Sequence, residues 1–459
     1  MADQITSAEH VKILKIELSS EKLSKSLLFA GSGKAFPIVA EFSIFENITL
    51  PYLTGNMILQ DDQDIMRLID LNGTERITIE YIIPDESQEA VSKTFIITSI
   101  AKQSRYNDFT NVIAFNMIED IGYYNLVRKI SKFYDGKGEQ IISDIVEDKF
   151  KRKLDISRMA ESFQSAMRYI IPYLSPFDAI KNVLGKMTTT FGMPYFFFSS
   201  VSSNDLILTD LESIIKTEPF NKNNPFVYSQ AVTNSTSMLD QMMAISSFEG
   251  SNLEDTLLLA QKGALGSRYV NINITTGELF DEHIDMLSRI QVLIDNELID
   301  PIYLKSFVDN NDTFIVDPSG ENIDRLTDFD SRVISDVSSV VFPNDVLNSL
   351  GQQEFGLFYS LRMVKNYLLD HITRNVYRIY VPGLMFLQKS ELTSVGSQIE
   401  INVLRTTPQG PEHQGKGFID VQRSGNYLIL AKRHIFNVPN QTHNVSLEIS
   451  RLTNQRDEN

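Results

Sequence analysis

The sequence predicts an α+β chain that is mainly β, with two β-rich ends joined by α/β and helical connector segments. Three observations carry this. Apolar and polar residues alternate with period two over residues 1–125 and again over 376–459. Between them the period becomes helical, at residues 139–150, after Ser175, and over 354–372. The two ends also match each other without gaps over the length of a hairpin.

The first end, 1–125, holds short alternating runs at Ile13–Leu18, Pro37–Phe45, Gly55–Leu59 and Arg76–Tyr81. Thr94–Ala101 and Asn111–Met117 form an antiparallel pair around the polar loop Gln103–Asp108. Asp64–Leu71 has room for a helical turn. Half a dozen short strands separated by turn signals describe a small antiparallel barrel or sandwich. Residues 126–215 form an α/β connector. Ile141, Ile142, Ile145 and Val146 lie at helical spacing. Ser175-Pro176-Phe177-Asp178 is a helix start: a hydroxyl N-cap, proline in the first turn, and a carboxylate at the positive end of the dipole. Gly192-Met193-Pro194 stops that helix, and Tyr195–Phe198 and Asp205–Leu208 follow as strands.

Asn221–Pro225 is a loop and marks a boundary. Residues 216–285, with strands at Phe226–Val232 and Arg268–Ile274, are expected to join the second β unit. Residues 286–375 form a mixed, helical insertion. Its loops are at 309–312 and 318–322, and its helix, Glu354–Ile372, carries Leu357, Leu361, Val364 and Leu368 on one side. The last segment, 376–459, returns to strands at Val376–Val381, Gln398–Val403, Gly417–Val421, Tyr427–Lys432 and Val445–Ile449.

Composition narrows the function. The chain has 459 residues, which at roughly 150 per domain is about three domains. It contains no cysteine, which excludes zinc ribbons, iron–sulfur ligation, disulfide frameworks and thiol nucleophiles. Lys plus Arg is 42 against 59 Asp plus Glu, a formal charge of −17, so the chain lacks the basic excess of a groove-type nucleic-acid binder. The N-terminus has no apolar signal core, and the longest apolar runs fall well short of the roughly 18 residues of a membrane span. A soluble protein, intracellular or part of an assembly built inside a cell, is expected, without stable membrane insertion.

No motif for chemistry passes inspection. Gly31-Ser32-Gly33-Lys34 resembles the end of a phosphate loop, but Leu28 and Ala35 stand where a glycine and a hydroxyl residue are required. Gly136-Lys137-Gly138 fails the same test. The carboxylates of Asp61-Asp62-Gln63-Asp64 and of Asp281-Glu282-His283 lack calcium-loop or zinc-protease spacing and read as solvated turns. No Gly-x-Ser-x-Gly elbow occurs. His434, inside an apolar strand, reads as a half-buried sheet residue rather than a base, and Tyr195–Phe198 as a buried strand rather than a base-stacking platform. No catalytic, cofactor-binding or metal-ligating residue is assigned, and no enzyme activity is expected.

The two ends look alike. With Thr94 placed on Asn426, Phe95-Ile96-Ile97 lies on Tyr427-Leu428-Ile429, and Ile113, Phe115 and Met117 fall on Val445, Leu447 and Ile449. Upstream, Ile77, Ile79 and Tyr81 parallel Ile399, Ile401 and Val403. A true repeat requires both hairpins to share a register, with both apolar sets turned into the core, because a slip of one residue reverses every side chain.

The C-terminal pattern Ser424-Gly425-Asn426-Tyr427-Leu428-Ile429, then Arg433-His434-Ile435-Phe436 and a strand, resembles the second barrel of the tail hubs of T4-like contractile phages. Gly55, Gly73-x-Glu75-x-Ile77-x-Ile79 and the Ser175-Pro176-Phe177 connector resemble the same family; residues 285–350 match nothing in it. The resemblance implies two small tube-like antiparallel β-barrels, at 1–125 and 376–459. It implies a homotrimeric structural protein of the virion tail baseplate, assembled in the host cytoplasm. Six near-equivalent units would face a tail tube or tube-initiator ring, and a central spike would sit opposite. Tape-measure and baseplate-wedge proteins are further implied partners, and DNA would pass through without specific binding. No catalytic residues and no cofactors come with the family. The alternatives are the hub of a related contractile injection or type VI secretion machine, and a baseplate accessory hydrolase or sugar-binding protein.

Overall fold

The computed structural model describes residues 7–454 apart from 22, 24, 32–34, 65–72, 74, 83–89, 161–166, 230–236, 251–265, 275–276, 278, 300–313, 317–321, 326–329, 331, 339–360, 370–371, 374–375, 388–392, 405–418 and 421–422. It is mostly β. The first end supplies β1 (Lys12–Ser19), β2 (Leu27–Gly31), β3 (Val39–Asn47), β4 (Thr54–Asp61), β5 (Arg76–Ile82), β6 (Val91–Arg105) and β7 (Asn111–Glu119). The connector runs α1 (Asp120–Val127), β8 (Ile130–Gly136), α2 (Gly138–Phe150), β9 (Leu154–Asp155), β10 (Met167–Leu174), α3 (Pro176–Lys186), β11 (Tyr195–Phe198), β12 (Leu206–Asp210) and α4 (Leu211–Lys216). Next come β13 (Phe226–Tyr228), β14 (Ser247–Glu249), β15 (Gly266–Asn273), β16 (Leu279–Asp285), β17 (Phe314–Val316), β18 (Asn322–Arg325) and β19 (Arg332–Ser338). The chain ends with β20 (Val376–Pro382), β21 (Gln398–Val403), β22 (Gly425–Asn437) and β23 (Thr442–Asn454).

Eleven strands from the two ends, together with β13 and β14 of the middle segment, share one thirteen-strand sheet. Its main path runs β14-β20-β23-β22-β3-β4-β7-β6-β5-β1-β2, with β21 beside β22 and β13 beside β21. The ladders are antiparallel except β13 on β21. Alternation fixes which face is buried. Ile77, Ile79 and Tyr81 turn inward, as do Ile113, Phe115 and Met117, and Val445, Leu447 and Ile449. They feed two separate apolar cores, one under each end. A third core lies inside the connector, where Ile141, Ile142, Ile145 and Val146 of α2 meet Ala179, Ile180 and Val183 of α3.

The Ser175 cap forms as expected: its side chain accepts from the Asp178 N–H, with Pro176 in the first turn. Tyr195–Phe198 is a fully buried strand paired with β12. Of the strands in 216–285, β13 and β14 join the large sheet, whereas β15 and β16 form a separate sheet with β19. The helix expected at 354–372 is described over 361–369, with Leu361, Val364 and Leu368 buried. Several expectations fail or go untested. Of the strand expected at Gly417–Val421, only Ile419 and Asp420 lie among the described residues, and Ile419 forms an isolated bridge to Leu404. Leu27–Gly31 and Ile130–Gly136 are strands that alternation did not reveal. Apart from Asp64, the turn expected at Asp64–Leu71 lies outside the described residues, as does the loop at 309–312.

Candidate assembly interface

The match between the two ends is a match of hydrogen-bonded ladders. Shifted by 426 − 94 = 332 positions, Phe95↔Glu119, Ile96↔Ile118 and Ile97↔Met117 in β6–β7 become Tyr427↔Arg451, Leu428↔Ser450 and Ile429↔Ile449 in β22–β23. Both hairpins then skip one residue at the same place, Thr98 and Leu430. They resume together with Ser99↔Asn116 and Ile100↔Phe115 matching Ala431↔Glu448 and Lys432↔Leu447. A shared bulge at a shared position argues for one design used twice, because bulges set strand twist and direction. Beyond it the copies differ: the first hairpin has a second bulge, at Ala101.

The equivalence extends to the flanking strands with a shift of 399 − 77 = 322. Arg76↔Ile96 and Ile77↔Phe95 correspond to Gln398↔Leu428 and Ile399↔Tyr427. The same shift, 376 − 54 = 322, carries β4 onto β20, so Met57↔Phe115 corresponds to Ile379↔Leu447. The sequence comparison had not paired these two strands. Finally β3 on β4 corresponds to β14 on β20, with Phe42↔Met57 matching Phe248↔Ile379. The first end therefore contains a five-strand unit, β3-β4-β7-β6-β5, and the last end completes an equivalent one with β14 of the middle segment, β14-β20-β23-β22-β21.

The two units are joined inside the chain by a seam. Strand β3 of the first lies along β22 of the second, from Glu41↔Asn437 to Asn47↔Ala431. Phe42 stacks on Phe436 at 4.5 Å, and Tyr81 meets the same ring at 4.8 Å. Arg433, opposite Phe45, donates diagonally to the Ser43 hydroxyl at 3.2 Å, two residues along β3. Beneath the seam lies a buried ionic cluster. The Glu46 carboxylate is 3.2 Å from Lys432 Nζ and 3.7 Å from His434 Nε2, and it accepts the Val201 N–H at 2.8 Å. Lys432 also donates to the Thr393 carbonyl at 2.9 Å. His434 Nδ1 lies 2.9 Å from His443 Nε2, and the two rings stack at 5.0 Å.

Electrostatics fixes the states of these groups. Burial opposes the Glu46 charge, but Lys432, His434 and the Val201 amide outweigh it and hold its pKa at about 2. Burial, then the Lys432 charge, push His434 down to about 4. Burial and the same neighbours hold His443 well below its usual value. Both imidazoles are therefore neutral at pH 7. The carboxylate beside His434 Nε2 favours a proton on that nitrogen, leaving Nδ1 to accept from His443 Nε2–H. His434 is thus a fully buried element of the seam, not the half-buried residue expected from its strand. Gly383 closes against it, since a Cβ there would overlap the His443 ring.

A second polar cluster docks the connector onto the first unit alone. Glu119 accepts from the Leu53 N–H at 3.0 Å, from Ser199 Oγ at 2.9 Å and from Arg152 at 2.6 Å; Arg152 also pairs with Asp120 at 2.7 Å. Lys93 donates to the carbonyls of Ser200 at 3.0 Å and Ser203 at 2.6 Å. The equivalents of Glu119 and Lys93 in the second unit are Arg451 and Gly425, and Arg451 donates to the Ser424 carbonyl instead. Buried Lys365, lowered to about 7 by burial and then by Arg362, donates to the carbonyls of Leu184, Gly185 and Met187 at the end of α3.

The remaining sequence candidates stay apart. Asp61 accepts from the Gln63 N–H at 3.2 Å, in a turn. Asp281 pairs with Arg268 at 2.6 Å, and His283 with Asp330 at 2.6 Å, both on exposed strands or loops. Gly31 ends β2, with Leu14 O 2.8 Å from where a Cβ would sit. Among the described residues no three His, Cys, Asp or Glu side chains gather as metal ligands, and no helix is long and apolar enough to cross a membrane.

The two units differ most at their edges. Residues Ala431–Asn437 of β22 are covered by β3, whereas Ser99–Arg105 of β6 have no second ladder among the described residues. Ile100 is 47% exposed there, and Tyr106 and Phe109 at the hairpin tip are 80% and 84% exposed. Among the described residues strand β14 likewise ends the sheet.

No family model matches the sequence, and no curated protein does. Its structural neighbours include phage tail proteins and a type VI secretion component. A tail protein from Neisseria meningitidis aligns over 96% of this chain and 97% of its own, at 9% identity and a TM-score of 0.48. A 43 kDa prophage MuSo2 tail protein from Shewanella oneidensis aligns over 95% and 98%, at 12% identity and a TM-score of 0.47. A type VI secretion component of E. coli, described as structurally similar to T4 tail proteins, aligns over 96% and 77%, at 8% identity and a TM-score of 0.40.

Proposed function

We propose that this chain is a structural subunit of a contractile-tail baseplate, the central hub. Three copies would form a ring that joins a hexameric tail tube, or its initiator ring, to a trimeric spike. The observation that carries this reading is the duplicated five-strand unit with conserved register. Two similar units in each of three chains give six near-equivalent faces, which resolves the mismatch between a threefold and a sixfold partner. Each end, 1–125 and 376–459, is then a tube-like barrel of the ring. The connector 126–215 and the middle segments 216–285 and 286–375 would sit around them. Of the motifs Ser424–Ile429 and Arg433–Phe436, on which the sequence resemblance rests, all but Ser424 lies in β22, the strand that forms the seam. The charge of −17 per chain, 3 × −17 = −51 per ring, suits a channel through which DNA passes without sticking. The role is non-enzymatic and needs no cofactor.

Light scattering on the purified protein tests this. A mass three times the monomer, with rings and a central hole in negative-stain images, is expected. Compact monomers at tens of micromolar, or turnover on cell-wall glycan that one carboxylate substitution abolishes, would contradict it.

A further inference from the structure

We propose that the exposed edge of β6, Ser99–Arg105, is the docking site for β14 of a second copy of this chain, in a register that repeats the internal β3–β22 seam. The inference rests on the ring reading and supplies its contact between subunits. Inside the chain, the covered stretch of β22 lies on β3. The equivalent of that stretch is the open edge of β6, and the equivalent of β3 is β14, at the far end of the same sheet. Each copy thus carries both halves of one more seam, at opposite ends, which makes the contact head-to-tail and able to close a ring. The occupant is a copy of this chain because, among the described strands, β14 is the one that repeats the strand filling the same position internally.

The register follows from the ladders. Across the second bulge, Lys102, Gln103, Ser104 and Arg105 take the positions of Arg433, His434, Ile435 and Phe436, since they face Ala114, Ile113, Val112 and Asn111. On the other strand Phe248 and Glu249 take the positions of Phe42 and Ser43. Phe42 lies opposite Phe436, and Ser43 opposite Ile435. So Phe248 of one copy meets Arg105 of the next, and Glu249 meets Ser104. Face parity agrees. Phe248 faces the core side, opposite buried Ile379, and Arg105 shares the face of Ile113, Phe115 and Met117. A shift by one residue would set Phe248 against an outward side chain.

Chemistry supports this register. The Arg105 guanidinium can lie flat on the Phe248 ring, where the internal seam stacks Phe42 on Phe436. Internally Arg433 reaches diagonally to Ser43; in the new seam the same diagonal sets Lys102 against Glu249, a cation against a carboxylate. Lys102 and Arg105 along a bare strand also discourage pairing with arbitrary edges, while suiting one that brings Glu249.

The absence of native cysteine gives a clean test. Two differently tagged chains are co-expressed, one carrying Ser104→Cys and the other Glu249→Cys, and mildly oxidised. Opposed positions on paired strands bring Cβ atoms near disulfide range. A covalent pair of the two tags is expected, at least ten times more abundant than with Ser104→Cys against Phe248→Cys. A trimer by light scattering with no covalent pair above that control overturns the seam and leaves the ring reading standing. A strict monomer with no covalent pair overturns both.

Discussion

The hairpins β6–β7 and β22–β23 are the same object in two settings. They share a register and a bulge, and both turn three apolar residues into a core. Yet β22 is sealed by β3 over seven residue pairs and holds a buried ionic cluster, while the equivalent stretch of β6 has no such cover among the described residues. The cores make each unit fold. What lies on the outer edge decides whether the unit is closed within the chain or left for a partner. The composition follows the setting. At the position of buried Lys432, paired with Glu46, the open hairpin has Ile100, and at the position of buried His434 it has Gln103.

The largest effect is expected from the closed seam. Lys432→Met strands the Glu46 charge in the interior and should cost about 3–5 kcal/mol in denaturant unfolding. Adding Glu46→Gln should recover part of that loss. The comparison breaks if the single substitution is neutral. Nearly as large, and equal on both sides, are the core truncations. Phe115→Ala and Leu447→Ala should each cost roughly 2–5 kcal/mol, since both fully buried side chains leave cavities.

Acid should distinguish the seam next. His434 titrates near 6.5 when unfolded and at about 4 when folded, so the unfolded chain binds the extra proton first. Stability therefore falls as pH drops from about 7 to about 4, by about 3 kcal/mol from this group. The low pKa of Glu46, about 2, adds a further loss below about 4.5. Thermal melts of His434→Gln across this range should show a flatter slope; an unchanged slope contradicts the assignment. The smallest effect on the isolated chain is at the open edge. Ile100→Thr should change its stability by less than about 0.5 kcal/mol while weakening self-association.

The hairpins were legible in the sequence because Ile113-x-Phe115-x-Met117 and Val445-x-Leu447-x-Ile449 alternate cleanly within short spans. The equivalence of β4 and β20 was hidden because packing replaced the side chains. Gly55 is required where a Cβ would come within 2.7 Å of Met117 and 2.8 Å of the Ser43 carbonyl, while its counterpart is Tyr377, which packs on Phe248 and Tyr427. Strand β10 was obscured by Pro172 and the left-handed Tyr173, which sit in a register shift between Ile171 and Leu174. The ionic cluster could not be read at all. Glu46 lies 386 positions before Lys432 (432 − 46), and a charge in an alternating strand signals a solvent face until a second strand buries it. The edge difference was equally silent, because it depends on which strand lies beside each hairpin.

Hydrogen exchange read by peptide mass tests the central claim most directly, because it compares residues 99–105 with 431–437 in one sample. In dilute chain the 99–105 amides that do not bond β7 should exchange quickly, and those of 431–437 slowly. At concentrations where the mass triples, the 99–105 peptide should gain protection and approach its counterpart, with the 431–437 peptide unchanged. A threefold mass with 99–105 still exchanging as in the dilute chain would contradict the account.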